Sequence, residues 1–289
     1  MNQNIVILLL CVPLYVINSF CDKLVSAISN NRYNTVYNGM KFLVCAACAL
    51  PMLWVGAPLI FGVGSLACGC VCGLLYAVSK TVMLKGYEAT TVAFMTLCHS
   101  AGMIVPCILG HFLWSETLSV VSAFGIGVTI LAILLLKAGK KEEKGLCAKG
   151  VLYGGVIFLT SAGVMVTQKA MGIYFVGDNV ALYNFYSFLV AAGILCLFIR
   201  PARDRHSPKK EKRIVGACAL GSGVCLAVIG FVMTTLASGV PSVILFPLFN
   251  GSGILAVCIG SVFVFGEALN AKQTAGLLLG VCGLCLVNL

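Results

Sequence analysis

Phe112-Leu113-Trp114-Ser115-Glu116-Thr117-Leu118 and Phe263-Val264-Phe265-Gly266-Glu267-Ala268-Leu269 are two versions of one pattern: an aromatic-apolar triplet, a small residue, a glutamate, and a leucine two positions on. Seven residues past each leucine stands a glycine, Gly125 or Gly276, within a long apolar run. The copies lie 151 positions apart. A second correspondence lies upstream at an offset of 146, where Tyr37-Asn38 precedes Phe42-Leu43-Val44 and Tyr183-Asn184 precedes Phe188-Leu189-Val190. That offset also superposes Lys23 on Lys169. Apolar stretches match by chance, but matched polar punctuation does not, and a small loop difference reconciles the two offsets. The chain therefore reads as a duplication.

Between these markers the sequence is almost continuously apolar: 60% of its 289 residues are hydrophobic and 10% charged. A soluble domain of this size needs more charge to cover its surface, so most of this surface faces lipid. Apolar runs broken by charge, Gly or Pro fall at 4–27, 34–54, 60–84, 89–113, 117–137, 149–173, 179–199, 213–236, 239–265 and 269–288. At about 20 residues per span these predict about ten transmembrane helices and leave no room for a soluble domain. The expected fold is all-α and polytopic, with one five-helix repeat over 1–138, a charged linker over 139–148 and a second five-helix repeat over 149–289. An odd number of spans per unit turns the second copy upside down. Inverted repeats of this kind surround a shared central cavity in many secondary transporters, where rocking of the halves exposes the site to each side in turn.

The net charge of +10 does not indicate nucleic acid, because the basic residues occupy short gaps between spans. Lys137, Lys140, Lys141, Lys144 and Lys149 lie in one gap, and Arg200, Arg203, Arg205, Lys209, Lys210, Lys212 and Arg213 in another, two spans later. The two linkers are thus on one side, which the positive-inside rule makes cytoplasmic at a cell membrane; with ten spans both termini then fall outside. The start, Met1-Asn2-Gln3-Asn4, has no basic region before its apolar stretch and no small-x-small cleavage pattern, so it reads as a first span and not as a signal peptide. The sixteen cysteines imply neither disulfides nor a metal. They sit inside apolar runs, and the spacing of two in Cys68, Cys70 and Cys72 spreads the thiols around a helix. No cofactor is expected.

The paired glutamate motif, with its turn, leucine and glycine-bearing final helix, resembles the EamA-type repeat of the drug/metabolite transporter superfamily. The matching segments are Trp114 through Gly125 and Phe265 through Gly276, and the resemblance covers essentially the whole chain. It implies a ten-helix basket with a central cavity and transport of metabolites, often amino acids or related compounds, frequently as export. It also implies cytoplasmic termini, the reverse of what the charges here predict.

Polar residues within spans are costly in lipid and so mark a cavity. Tyr15, Asn18 and Asp22 recur at three and four residues on one face of the first span. His99 lies about 15 Å into the fourth span, and its repeat mate at offset 151 is Asn250. The pair is expected to form a shared solute site, with Tyr76, Tyr183 and Asn184 as further contacts and interhelical packing as the alternative role for each. Lys23 and Lys169 fit an anion or coupling role, or snorkelling to opposite interfaces. Glu116 and Glu267 are expected to tie turns together, and Tyr37, Asn38 and Tyr183 suit interface anchors. With no acidic residue at mid-depth, a neutral or zwitterionic small-molecule solute is expected over a permanent cation. The three histidines (His99, His111, His206) and nine acidic residues form no catalytic spacing. A membrane-embedded enzyme and a non-transporting membrane partner are therefore the lesser alternatives. Solute, coupling ion and oligomeric state are not written in the sequence.

Overall fold

A computed structural model describes residues 3–29, 33–54, 62–89, 92–116, 119–137, 148–198, 209–265 and 271–287. Glu267, Leu269 and most of both basic linkers lie outside these residues. The described chain is helical: α1 (Gln3–Leu10), α2 (Val12–Ser29), α3 (Asn34–Met52), α4 (Val63–Ala89), α5 (Val92–Ala101), α6 (Ile104–Leu113), α7 (Val120–Lys137), α8 (Ala148–Tyr174), α9 (Val180–Leu197), α10 (Lys209–Ala237), α11 (Ser242–Phe265) and α12 (Ala271–Val287). Seven helical segments are long and apolar enough to cross a membrane, with α1–α2 counted as one. Apolar stretches of α5–α6, α7 and α12 are shorter.

Two expected spans are interrupted, each next to a proline. Pro13 has no N–H for the carbonyl one turn before it, and the chain tightens there, with Cys11 N donating to Leu8 O at 3.1 Å. In the same way Pro106 leaves Gly102 O to accept from Val105 N at 3.3 Å, while Gly102 N and Met103 N turn back to His99 O and Ser100 O. The Ser161 hydroxyl on α8 donates to His99 O at 2.8 Å. A freed backbone group deep in the bundle is thus satisfied by a neighbouring helix, as lipid requires.

The longest shared interfaces join α7 with α12, α4 with α9 and α8, α3 with α9 and α10, and α2 with α10 and α11. Small residues set the approach. On α4, Gly69 and Gly73 sit four apart against α9; a Cβ at Gly73 would lie 2.5 Å from Ser187 O and 2.8 Å from Val190 Cβ. On α10, Gly223 meets α3 in the same manner, with Val44 Cβ at 2.8 Å and Lys41 O at 2.9 Å. Such stripes let backbones touch where no hydrophobic effect drives helices together.

Helix directions follow from individual contacts. Asn179 Nδ2 at the start of α9 donates to Leu53 O at the end of α3, at 3.4 Å, while Phe42 and Phe188 stack further along at 6.1 Å. The two helices run antiparallel. Asn179 also caps α9, accepting from Ala181 N at 2.9 Å and Leu182 N at 3.3 Å. Asn4 approaches Gly239, so the start of α1 lies at the α10–α11 turn, the far end of α10 from Lys209.

Candidate functional site

Apolar helices bury few charges, so each one they do bury needs a role. Three helices bring charged groups to one depth. Asp22 stands seven residues before the end of α2 and Lys41 seven after the start of α3, and Lys80 lies in the second half of α4. Lys41 is fully buried, and its Nζ is 2.9 Å from Asp22 Oδ1. The Tyr37 hydroxyl donates to the same oxygen at 2.6 Å and lies 2.8 Å from Ser222 Oγ on α10. Tyr37 and Lys41 are one turn apart, so the lysine ammonium also lies 5.6 Å from the Tyr37 ring centre. Lys80 is within electrostatic reach of both Asp22 and Lys41.

Tyr15, Asp22, Tyr76 and Lys80 each retain accessible surface; for the Asp22 side chain it is 37%. The Tyr76 ring packs against Phe42 at 5.5 Å and Phe188 at 6.2 Å, which places an aromatic wall one turn from Lys80. Tyr15 packs edge-on to Phe249 of α11 at 5.6 Å. Asn18, between Tyr15 and Asp22 on α2, has a buried Oδ1 with no hydrogen-bond partner among the described residues.

The other expected site residues are placed differently. His99 and Asn250 are joined by no hydrogen bond among the described residues; the Asn250 amide donates to Phe246 O of its own helix at 2.9 Å. Tyr183 and Asn38 are buried rather than interface anchors, and Asn184 is buried as well. The Tyr183 hydroxyl is 3.3 Å from Thr167 Oγ1, and Asn184 donates to Val180 O at 3.0 Å. Tyr37 is likewise no anchor, since it is buried and bonded to Asp22. Lys23 is partly exposed.

Lys169 does not snorkel. It is 3% exposed, lies 2.7 Å from Glu116 Oε1 and donates to Val240 O at 2.8 Å. Glu116 in turn accepts from Ser242 N at 2.7 Å. The glutamate after α6 therefore holds the end of α8 and the α10–α11 turn, because a buried carboxylate keeps its charge only where donors converge on it. Among the described residues no group of three or more His, Cys, Asp or Glu is placed to hold a metal.

Sequence reading missed Lys41, Lys80 and Ser222. The signal was present for the lysines, since each interrupts an otherwise apolar span. Ser222 carries none, because a lone serine among Gly and Ala looks like packing.

No family model and no curated protein matches the chain. A solved crystal structure matches it over 100% of this chain and 99% of the other, with a TM-score of 0.77 and 15% sequence identity. At that identity the likeness is one of fold.

Proposed function

We propose that the protein is a secondary transporter of the cell membrane that moves a small metabolite by alternating access, with ten spans arranged as two five-helix units of opposite orientation. The observation that carries this reading is the Asp22–Lys41 ion pair set within apolar helices, with Tyr37 bonded to the same carboxylate and Lys80 in electrostatic reach. Charge costs several kcal/mol to bury in an apolar bundle and is kept where it handles a solute or ion.

The packing supports the two-unit arrangement. Exchanging each helix for its counterpart in the other unit turns the α4–α9 interface into α10–α3, and α4–α8 into α10–α2. The Gly73 contacts on Ser187 and Val190 become those of Gly223 on Lys41 and Val44. Counterparts α3 and α9 touch each other antiparallel, as inversion requires. Two copies of one packing give two states of similar energy, which is what a carrier needs. On this reading the chain is a carrier of the EamA type within the drug/metabolite transporter superfamily. The basic linkers face the cytoplasm and both termini lie outside.

A cysteine at Tyr76, in a chain whose native cysteines are replaced, tests the mechanism. An impermeant thiol reagent should reach it from either side of the membrane, and solute should change the balance. Labelling from one side alone under every condition defeats alternating access.

A further inference from the structure

We infer that the tips of α8 and α10 form a seal at one end of the carrier, latched by Glu116 and Lys169, and that α2 closes on α4 at the opposite end when this seal opens. This rests on the carrier reading and names the parts that move in it.

Six helices pack around the α3–α9 contact, and exchange of the two units returns every interface among them but one. The contacts of α4 with α8 and α9 return as those of α10 with α2 and α3. The exception is α8 with α10: these two touch, whereas their counterparts α2 and α4 share at most a marginal contact among the described residues. The two places lie at opposite ends of the bundle. Each of α8 and α10 starts after a basic linker, so their tips lie away from the linkers. At that same end α4 starts, where Ser65 N donates to Asp178 Oδ2 of the α8–α9 turn at 3.0 Å, and α1 starts beside Gly239. The tips of α2 and α4 therefore lie at the linker end.

The α8–α10 joint is built to part. A Cβ at Gly172 would lie 2.8 Å from Ser238 N and 3.0 Å from Ser238 Cα, so the tips meet there on backbone, with no side chain of residue 172 to interlock. Lys169 Nζ reaches across to Val240 O at 2.8 Å and lies 2.7 Å from Glu116 Oε1, and Glu116 accepts from Ser242 N at 2.7 Å. A buried ion pair gains little net energy over two hydrated ions, since desolvation offsets the attraction. Parting the tips returns water to both groups, so the latch opens at a small net cost, as two states of similar energy require. Lys23, the repeat mate of Lys169, keeps accessible surface where Lys169 is 3% exposed. That difference fits a lysine whose own end has yet to close. Exchange of the units turns this state into its complement, with α2 on α4 and α8 apart from α10.

The test uses the full chain, with native cysteines replaced, in lipid nanodiscs, and reads nitroxide pairs by pulsed electron–electron resonance. One pair is carried by Tyr174→Cys and Ser238→Cys at the α8 and α10 tips, the other by Ile28→Cys and Ala89→Cys at the α2 and α4 tips. Each pair should show a near and a far distance, and the near fraction of one should match the far fraction of the other. Glu116→Gln leaves Lys169 enclosed without its carboxylate, so it should raise the far-to-near ratio of Tyr174–Ser238 about tenfold or more and shift Ile28–Ala89 toward near. Lengthening of the first pair with the second unmoved reduces the joint to a static strut and overturns the seal. Mostly near distances in both pairs, or one fixed distance in each with Glu116 intact, also overturn it; these readings stand even if Glu116→Gln folds poorly. Fixed distances with two-sided labelling at Tyr76→Cys leave the carrier standing without these seals, whereas one-sided labelling defeats the carrier itself.

Discussion

Phe42 and Phe188 occupy the same place in the two copies of the repeated sequence, 146 positions apart, and their rings meet at 6.1 Å. Residues related by a two-fold operation touch each other only where the axis passes between them. On the proposed two-unit arrangement the contact marks the line about which the halves exchange, and Tyr76 lies beside both rings.

The glycine contacts mirrored across that line should be equally intolerant of bulk. Gly73→Ala and Gly223→Ala should each cost about 1–3 kcal/mol, because the new methyl meets backbone and a branched side chain. Gly193 has open space around its Cβ direction, so Gly193→Ala should be neutral or add up to about 1 kcal/mol through helix propensity. Thermal melts in one detergent compare the three; equal losses at all three sites would refute the mirrored packing.

Asp22→Asn leaves Lys41 buried without its carboxylate and should destabilise the protein by about 2–3 kcal/mol, below the figure for a fully enclosed pair because Asp22 is partly exposed. Adding Lys41→Met should recover much of that loss. A double-mutant cycle measures the coupling, expected at about 1–3 kcal/mol; strictly additive losses would mean that the two groups do not pair.

Glu116→Gln and Lys169→Met each break the enclosed pair between halves and should cost about 3–5 kcal/mol by melting. The charge swap Glu116→Lys with Lys169→Glu should not restore stability. Lys169 also donates to Val240 O and Glu116 accepts from Ser242 N, and reversing the charges aims donor at donor. Full rescue by the swap would reduce the pair to a simple charge contact.

Orientation is open to direct test. About 40 Å of helix, at 1.5 Å per residue, separates Glu211 in the first turn of α10 from Ser238 beyond its end. In a chain with native cysteines replaced, Ser238→Cys should react with an impermeant maleimide on intact cells and Glu211→Cys only after permeabilisation. The opposite pattern would place the basic linkers outside.

Much of the architecture was legible because lipid enforces it: continuous apolar runs give helices, and charge gaps give turns. The predicted first and fourth spans contain breaks at Cys11 and Gly102 that the neighbouring Pro13 and Pro106 announce. The site was less legible. His99 and Asn250 were placed in one site by equal depth alone, and in the structure the Asn250 side chain bonds within its own helix. Lys41 visibly interrupts its apolar span, but its partner, Asp22, comes from another helix. Pairing across helices depends on the rotation of each rod, which periodicity alone does not supply. Gly73 and Gly223 were equally hidden, because glycine is common in every span and only the close approach distinguishes them.

Lys41 also bears on how the chain enters the bilayer. Its helix is the least apolar of the seven long spans, and a central lysine adds about 3 kcal/mol to the cost of leaving the translocon. The preceding helix holds the remedy, since Asp22 stands seven residues before the end of α2 and Lys41 seven after the start of α3. Insertion as a joined hairpin lets the two charges neutralise each other during synthesis, whereas α3 arriving alone would stall at the channel's lateral opening. Neutralising Lys41 with Asp22 therefore lowers the cost of placing α3 in the bilayer, whatever else the pair does.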